Sequence, residues 1–132
     1  TYLAGYYKYK AGDQFTEGGK PVNGKRDICD IYAIMYETSE SVPTLDGTNA
    51  FTSPNLISTA RINNAKETNE WTYFKLPFTT LPGKFIDKEK LMDGKYNIAI
   101  VFTSSLEGDH FNGAIGSTLL IDEAELIYHS ED

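Results

Sequence analysis

Six stretches of this chain alternate apolar and polar side chains with a period of two, and no useful length repeats them at the helical period of 3.6. A chain patterned this way buries its apolar side chains by pairing strands and stacking the resulting sheets. The predicted strands run from Tyr2 to Lys10, Asp27 to Glu37, Leu56 to Ile62, Trp71 to Phe78, Lys95 to Ser105 and Thr118 to Tyr128. Turn-rich segments separate them, among them Glu17-Gly18-Gly19-Lys20-Pro21-Val22-Asn23-Gly24 and Leu45-Asp46-Gly47-Thr48-Asn49. One helical turn is expected at Asp87 to Leu91, capped by Asp87 and ended before Gly94. The fold class is all-β, an antiparallel two-sheet β-sandwich.

Alternation also assigns faces. In the second strand Cys29, Ile31, Ala33 and Met35 share one side, while Ile28, Asp30, Tyr32, Ile34 and Tyr36 share the other. In the fourth, Phe74, Leu76 and Phe78 point to the core, which turns Trp71, Tyr73 and Lys75 outward. The fifth is apolar on both sides, with Tyr96, Ile98, Ile100 and Phe102 alternating with Asn97, Ala99, Val101 and Thr103. That pattern predicts a central position in a covered sheet.

At 132 residues the chain has the size of one domain, which needs neither disulfides nor metals merely to fold. Nine Tyr, seven Phe and one Trp suit strands. A formal net charge of −7, with twelve Lys and Arg scattered singly, argues against a nucleic-acid partner. The lone Cys29 forms no intramolecular disulfide, and its apolar neighbours make it a core residue rather than a reactive thiol. No run of about 18 apolar residues is present, so no transmembrane span is expected. Thr1 opens directly into a strand-like run, which suggests an excised segment of a longer exported precursor.

Three motifs then carry a resemblance. They are Gly5-Tyr6-Tyr7-Lys8-Tyr9-Lys10-Ala11-Gly12-Asp13, Asp27-Ile28-Cys29-Asp30-Ile31-Tyr32-Ala33-Ile34-Met35-Tyr36-Glu37, and the closing Gly116-Ser117-Thr118-Leu119-Leu120-Ile121-Asp122-Glu123-Ala124-Glu125-Leu126-Ile127-Tyr128. Together they resemble the putative carbohydrate metabolism domain of surface proteins and lipoproteins of gut Bacteroidetes. The resemblance implies a jelly-roll or galactose-binding-like sandwich over residues 1–132, at the C-terminal end of an exported protein and typically behind an immunoglobulin-like domain. It implies a periplasmic or cell-surface location and a lipid anchor on the precursor. It brings no catalytic residues with it.

Four constellations are candidates for chemistry. Glycoside hydrolysis needs an acid and a base or nucleophile flanking one bond. The tight acidic cluster Asp122, Glu123 and Glu125 places only Glu123 and Glu125 on one face, so solvated outer carboxylates are the simpler reading. A structural calcium is the second, with Asp122 and Asp13 as ligands and Glu17 nearby, against acids that merely cap turns.

The third is an aromatic platform for sugars, in which Trp71, Tyr73, Tyr32 and Tyr36 stack on sugar CH faces while Asp30 and Lys75 take hydroxyls. Its rival is rim packing by Trp71 and ordinary cross-strand tyrosine pairs. The fourth is the long glycine-rich loop from Ser104 to Ser117, whose His110 and Phe111 are either exposed readers or a tucked crossover.

The sequence thus favours a non-catalytic carbohydrate-binding module with a glycan as partner and no cofactor beyond a structural calcium. The alternatives are a structural or adhesive protein-interaction domain and, behind it, a glycoside hydrolase.

Overall fold

A computed structural model describes residues 1–39, 51–63, 65–107 and 111–128. Its elements run β1 (Tyr2–Lys10), β2 (Phe15–Glu17), β3 (Lys20–Pro21), β4 (Asp30–Glu37), β5 (Leu56–Arg61), β6 (Thr68–Pro77), β7 (Thr79–Thr80), α1 (Lys88–Met92), β8 (Tyr96–Thr103), β9 (Gly113–Ala114) and β10 (Thr118–Ile127). One layer has the strand order β10-β1-β6, the other β7-β5-β4-β8, and a small third sheet runs β3-β2-β9. Every pairing in these sheets is antiparallel. The expected sandwich is therefore the fold, and all six predicted long strands are present.

The core between the layers is laid down by alternation. Leu3, Tyr7 and Tyr9 of β1 meet Ile31 and Ala33 of β4, Ala60 of β5 and Phe74 of β6. Gly5 makes room for this, because a Cβ there would lie 2.9 Å from the Phe74 ring. The helix begins where its cap predicts, with the Asp87 carboxylate accepting from the backbone N–H groups of Glu89 and Lys90. Cys29 is buried in the core, and burial pushes its thiol up to about 11.

Three expectations are corrected. The second predicted strand enters its sheet at Asp30 rather than Asp27, because Asp27 is turned inward to serve as a hydrogen-bond hub. Its Oδ2 accepts from Ser105 Oγ at 2.5 Å, Ser117 Oγ at 2.6 Å and Ala114 N at 3.0 Å, while Oδ1 accepts from Ile28 N at 2.9 Å. This buried carboxylate ties the ends of β4, β8, β9 and β10 together.

The second correction is that β8 lies at an edge of its sheet and β4 is central. β4 is covered on both faces, with Ile31 and Ala33 facing the core and Tyr32, Ile34 and Tyr36 in a second cluster with Leu56 and Leu81 on the outside. The third follows directly: Tyr32 and Tyr36 are outward in parity but only 5% and 3% exposed. The edge of the Phe51 ring meets Tyr32 with centroids 4.8 Å apart and closes over it.

Candidate functional site

The proposed aromatic platform is divided by the topology. Trp71, Tyr73 and Lys75 stand on β6, whereas Asp30, Tyr32 and Tyr36 stand on β4 in the other sheet, so the sandwich core separates the two groups. Asp30 is buried and holds the Arg61 guanidinium in a two-point contact, with 3.2 Å to Nε and 2.7 Å to the terminal nitrogen. That guanidinium also lies over the Phe51 ring at 4.3 Å. A carboxylate engaged this way has structural work and little capacity left for a sugar hydroxyl.

What gathers around Trp71 and Tyr73 comes instead from β1. The antiparallel register sets Tyr6 opposite Tyr73 and Ala4 opposite Lys75. Tyr6 and Tyr73 have centroids 5.2 Å apart with planes inclined at 55°, so the pair forms a notch rather than a flat floor. The Lys8 ammonium stands 4.8 Å from the Trp71 ring centre, and the Lys75 ammonium 4.4 Å from that of Tyr2. Trp71 is 44% exposed, Tyr73 51% and Tyr6 36%, values that leave ring surface open to a ligand. The result is a row of rings on one sheet face, interleaved with lysines.

Sequence reasoning missed Tyr6 and Lys8. Tyrosines occupy both parities of β1, with Tyr2 and Tyr6 on one side and Tyr7 and Tyr9 on the other, so composition alone does not say which face is wet. The signal that separates them is Leu3, which fixes the odd positions as core.

The two expected calcium ligands stand apart. Asp122 pairs in register with Tyr6 in the middle of β1, while Asp13 lies beyond the strand's end at Lys10, at least four strand residues or about 13 Å away. Asp122 accepts from the backbone N–H of Glu123 at 2.9 Å, where Glu123 adopts a φ of 51° at the bulge in β10. Glu17 is ion-paired with Lys25. No cluster of three His, Cys, Asp or Glu able to hold a metal occurs among the described residues.

In the loop after β8, Phe111 is 79% exposed and has a φ of 59°, while His110 lies outside the described residues. The loop is pinned on β2, since Gly18 N donates to Asn112 Oδ1 and Thr16 Oγ1 donates to Gly113 O. Elsewhere, Glu37 and Asp87 border a small hollow with Lys84, Phe85, Lys90 and Tyr96. Both acids there are engaged, Glu37 by Lys90 at 2.9 Å and Asp87 by the helix cap. No helix among the described residues is long and apolar enough to cross a membrane.

Two solved structures are closely similar. A putative glycoside hydrolase from Bacteroides thetaiotaomicron VPI-5482 is 88% identical over 98% of this chain, with a TM-score of 0.96. A putative glycoside hydrolase from Bacteroides vulgatus ATCC 8482 is 47% identical over 96% of this chain, with a TM-score of 0.87. This chain spans 38% and 51% of those two chains. No curated protein matches it significantly. The profile of one family covers residues 1–127, and the chain belongs to that family, the putative carbohydrate metabolism domain.

Proposed function

We propose that the chain is a carbohydrate-binding module that acts without catalysis within an exported, periplasmic or cell-surface protein whose precursor carries a lipid anchor. The observation that carries the reading is the exposed row of Trp71, Tyr73 and Tyr6 with Lys8 and Lys75 beside it. Aromatic faces accept the apolar CH faces of sugar rings, and the flanking ammonium groups donate to hydroxyl or carboxylate oxygens. The family's carbohydrate association and the Bacteroides relatives support both the ligand class and the location.

An open face of this kind encloses little of its ligand, so binding is weak for a single ring and favours extended saccharides. The names of the two relatives favour hydrolysis as a second reading, but they belong to chains that extend well beyond the matched region. In this chain the paired acids at the hollow are committed to Lys90 and to the helix cap.

A glycan array, followed by titration of the best binder with and without Trp71→Ala, tests the proposal. Binding lost in the variant with the melting curve unchanged supports it. An array with no binder, or release of reducing ends by the isolated chain, counts against it.

A further inference from the structure

We infer that the free edge of β8 receives an extended strand from another part of a longer polypeptide, apolar along one side and bearing Lys or Arg. β8 pairs through all eight of its residues with β4 and without a bulge. On its other side it pairs with no strand among the described residues.

Soluble proteins guard such edges with charges, proline, bulges or short length, because unpaired N–H and C=O groups template pairing with another chain. The remaining edges of the two layers obey this. β6 carries Glu70, Lys75 and Pro77, β7 has two residues, and β10 carries Asp122, Glu123 and Glu125 with a register shift opposite Ala4 to Tyr6. β8 reads Tyr-Asn-Ile-Ala-Ile-Val-Phe-Thr, without a charge or a proline.

Its core-facing side chains are also unfinished. Ile100 and Phe102 are 41% and 37% exposed, although Ala33 and Ile31, their register partners on β4, are completely buried. An added strand would extend the core over both, while its backbone satisfied the open edge.

The chemistry of the occupant follows from charge. The chain carries a net charge of −7, and a second copy joined through β8 would bring two such charges together. A strand carrying Lys or Arg meets the acidic chain favourably. The matched region is 38% and 51% of the two solved relatives, so about half or more of each chain is available to supply such a strand.

Hydrogen exchange followed residue by residue tests this, on the isolated chain and on the longer Bacteroides thetaiotaomicron relative. The β8 amides that point away from β4 should exchange at least tenfold more slowly in the longer protein. In parallel, a capped peptide of alternating Val and Lys is titrated into the isolated chain and followed by amide chemical shifts, against a Val and Glu control. The Val and Lys peptide should move β8 resonances, the control should not, and both Ile100→Lys and Phe102→Lys should abolish the shifts while strand circular dichroism is retained.

Equal exchange in the two proteins overturns the inference. So does an isolated chain that dimerises through β8 in light scattering, because a second copy would then be the occupant. The aromatic face lies on the other sheet, so glycan binding can survive or fail independently of these outcomes.

Discussion

Lys8 holds its ammonium 4.8 Å above the ring of Trp71, from the neighbouring strand of the same sheet face. A cation over an indole contributes about 0.5–1 kcal/mol at an exposed site. That is enough to steady the ring and too little to bar a ligand from displacing the amine. Lys8→Ala should therefore lower stability by no more than about 1 kcal/mol in urea unfolding. Trp71→Ala should weaken glycan binding by roughly 1–3 kcal/mol in calorimetry. A fall of several degrees in melting temperature with unchanged binding would instead mark Trp71 as a packing residue.

Asp27 is the second point of leverage. Asp27→Ala strands the Ser105 and Ser117 hydroxyls and the Ala114 and Ile28 amides in a largely closed site, a loss on the order of 3–5 kcal/mol by denaturant titration. Asp27→Asn retains the shape but turns an NH2 toward donors that need an acceptor, so it should recover only part of that loss. Equal stability of the wild type and Asp27→Ala would show that water replaces the carboxylate at no cost.

Alkaline pH should unfold the protein through two buried groups. Burial raises the Cys29 thiol to about 11 and, as the leading cause, raises the Tyr9 hydroxyl to about 12, with Ser117 acting in the opposite sense through a hydrogen bond. Both groups keep their protons more tightly when folded. Stability is therefore full below the unfolded values near 9 and 10, and falls as pH rises through the folded ones. Urea midpoints should be flat up to about pH 9 and decline between about 9 and 12, and Tyr9→Phe should flatten the upper part. Native Cys29 should likewise resist thiol reagents at neutral pH, and rapid labelling would contradict its burial.

Arg61 offers a fourth test. Its guanidinium neutralises a carboxylate that is almost fully buried, so Arg61→Met should cost about 2–4 kcal/mol by leaving Asp30 unpaired. The double variant with Asp30→Asn should recover much of it. Additive losses in a double-mutant cycle would show the pair to be uncoupled.

The placement of these groups marks how far the sequence could be read. Period-two alternation located every long strand to within three residues, because a strand's sidedness is written locally in runs such as Ile31-Tyr32-Ala33-Ile34. The four two- and three-residue strands escaped, since too few side chains alternate in them to show a period. Which strand neighbours which is not local information. The outer face was half legible for that reason: Trp71, Tyr73 and Lys75 do stand exposed on one strand, but their neighbours on the next strand are Tyr6 and Lys8 rather than Tyr32 and Tyr36. The same limit explains β8, whose two apolar faces look central while its position is an edge.

The register of β1 also governs the order in which the sandwich can be assembled. Tyr2 pairs with Pro77 on one side and with Ile127 on the other, so the first strand waits for partners that follow it by most of the chain. At a synthesis rate of roughly 5–20 residues per second, β10 follows β1 by about 6–24 s. During that interval a tyrosine-rich strand is exposed along at least one edge. A topology so dependent on distant pairings closes slowly compared with a helical bundle of the same size. The β10-β1-β6 layer should therefore consolidate late, after the β4–β5 and β4–β8 ladders have formed a surface for it to condense upon.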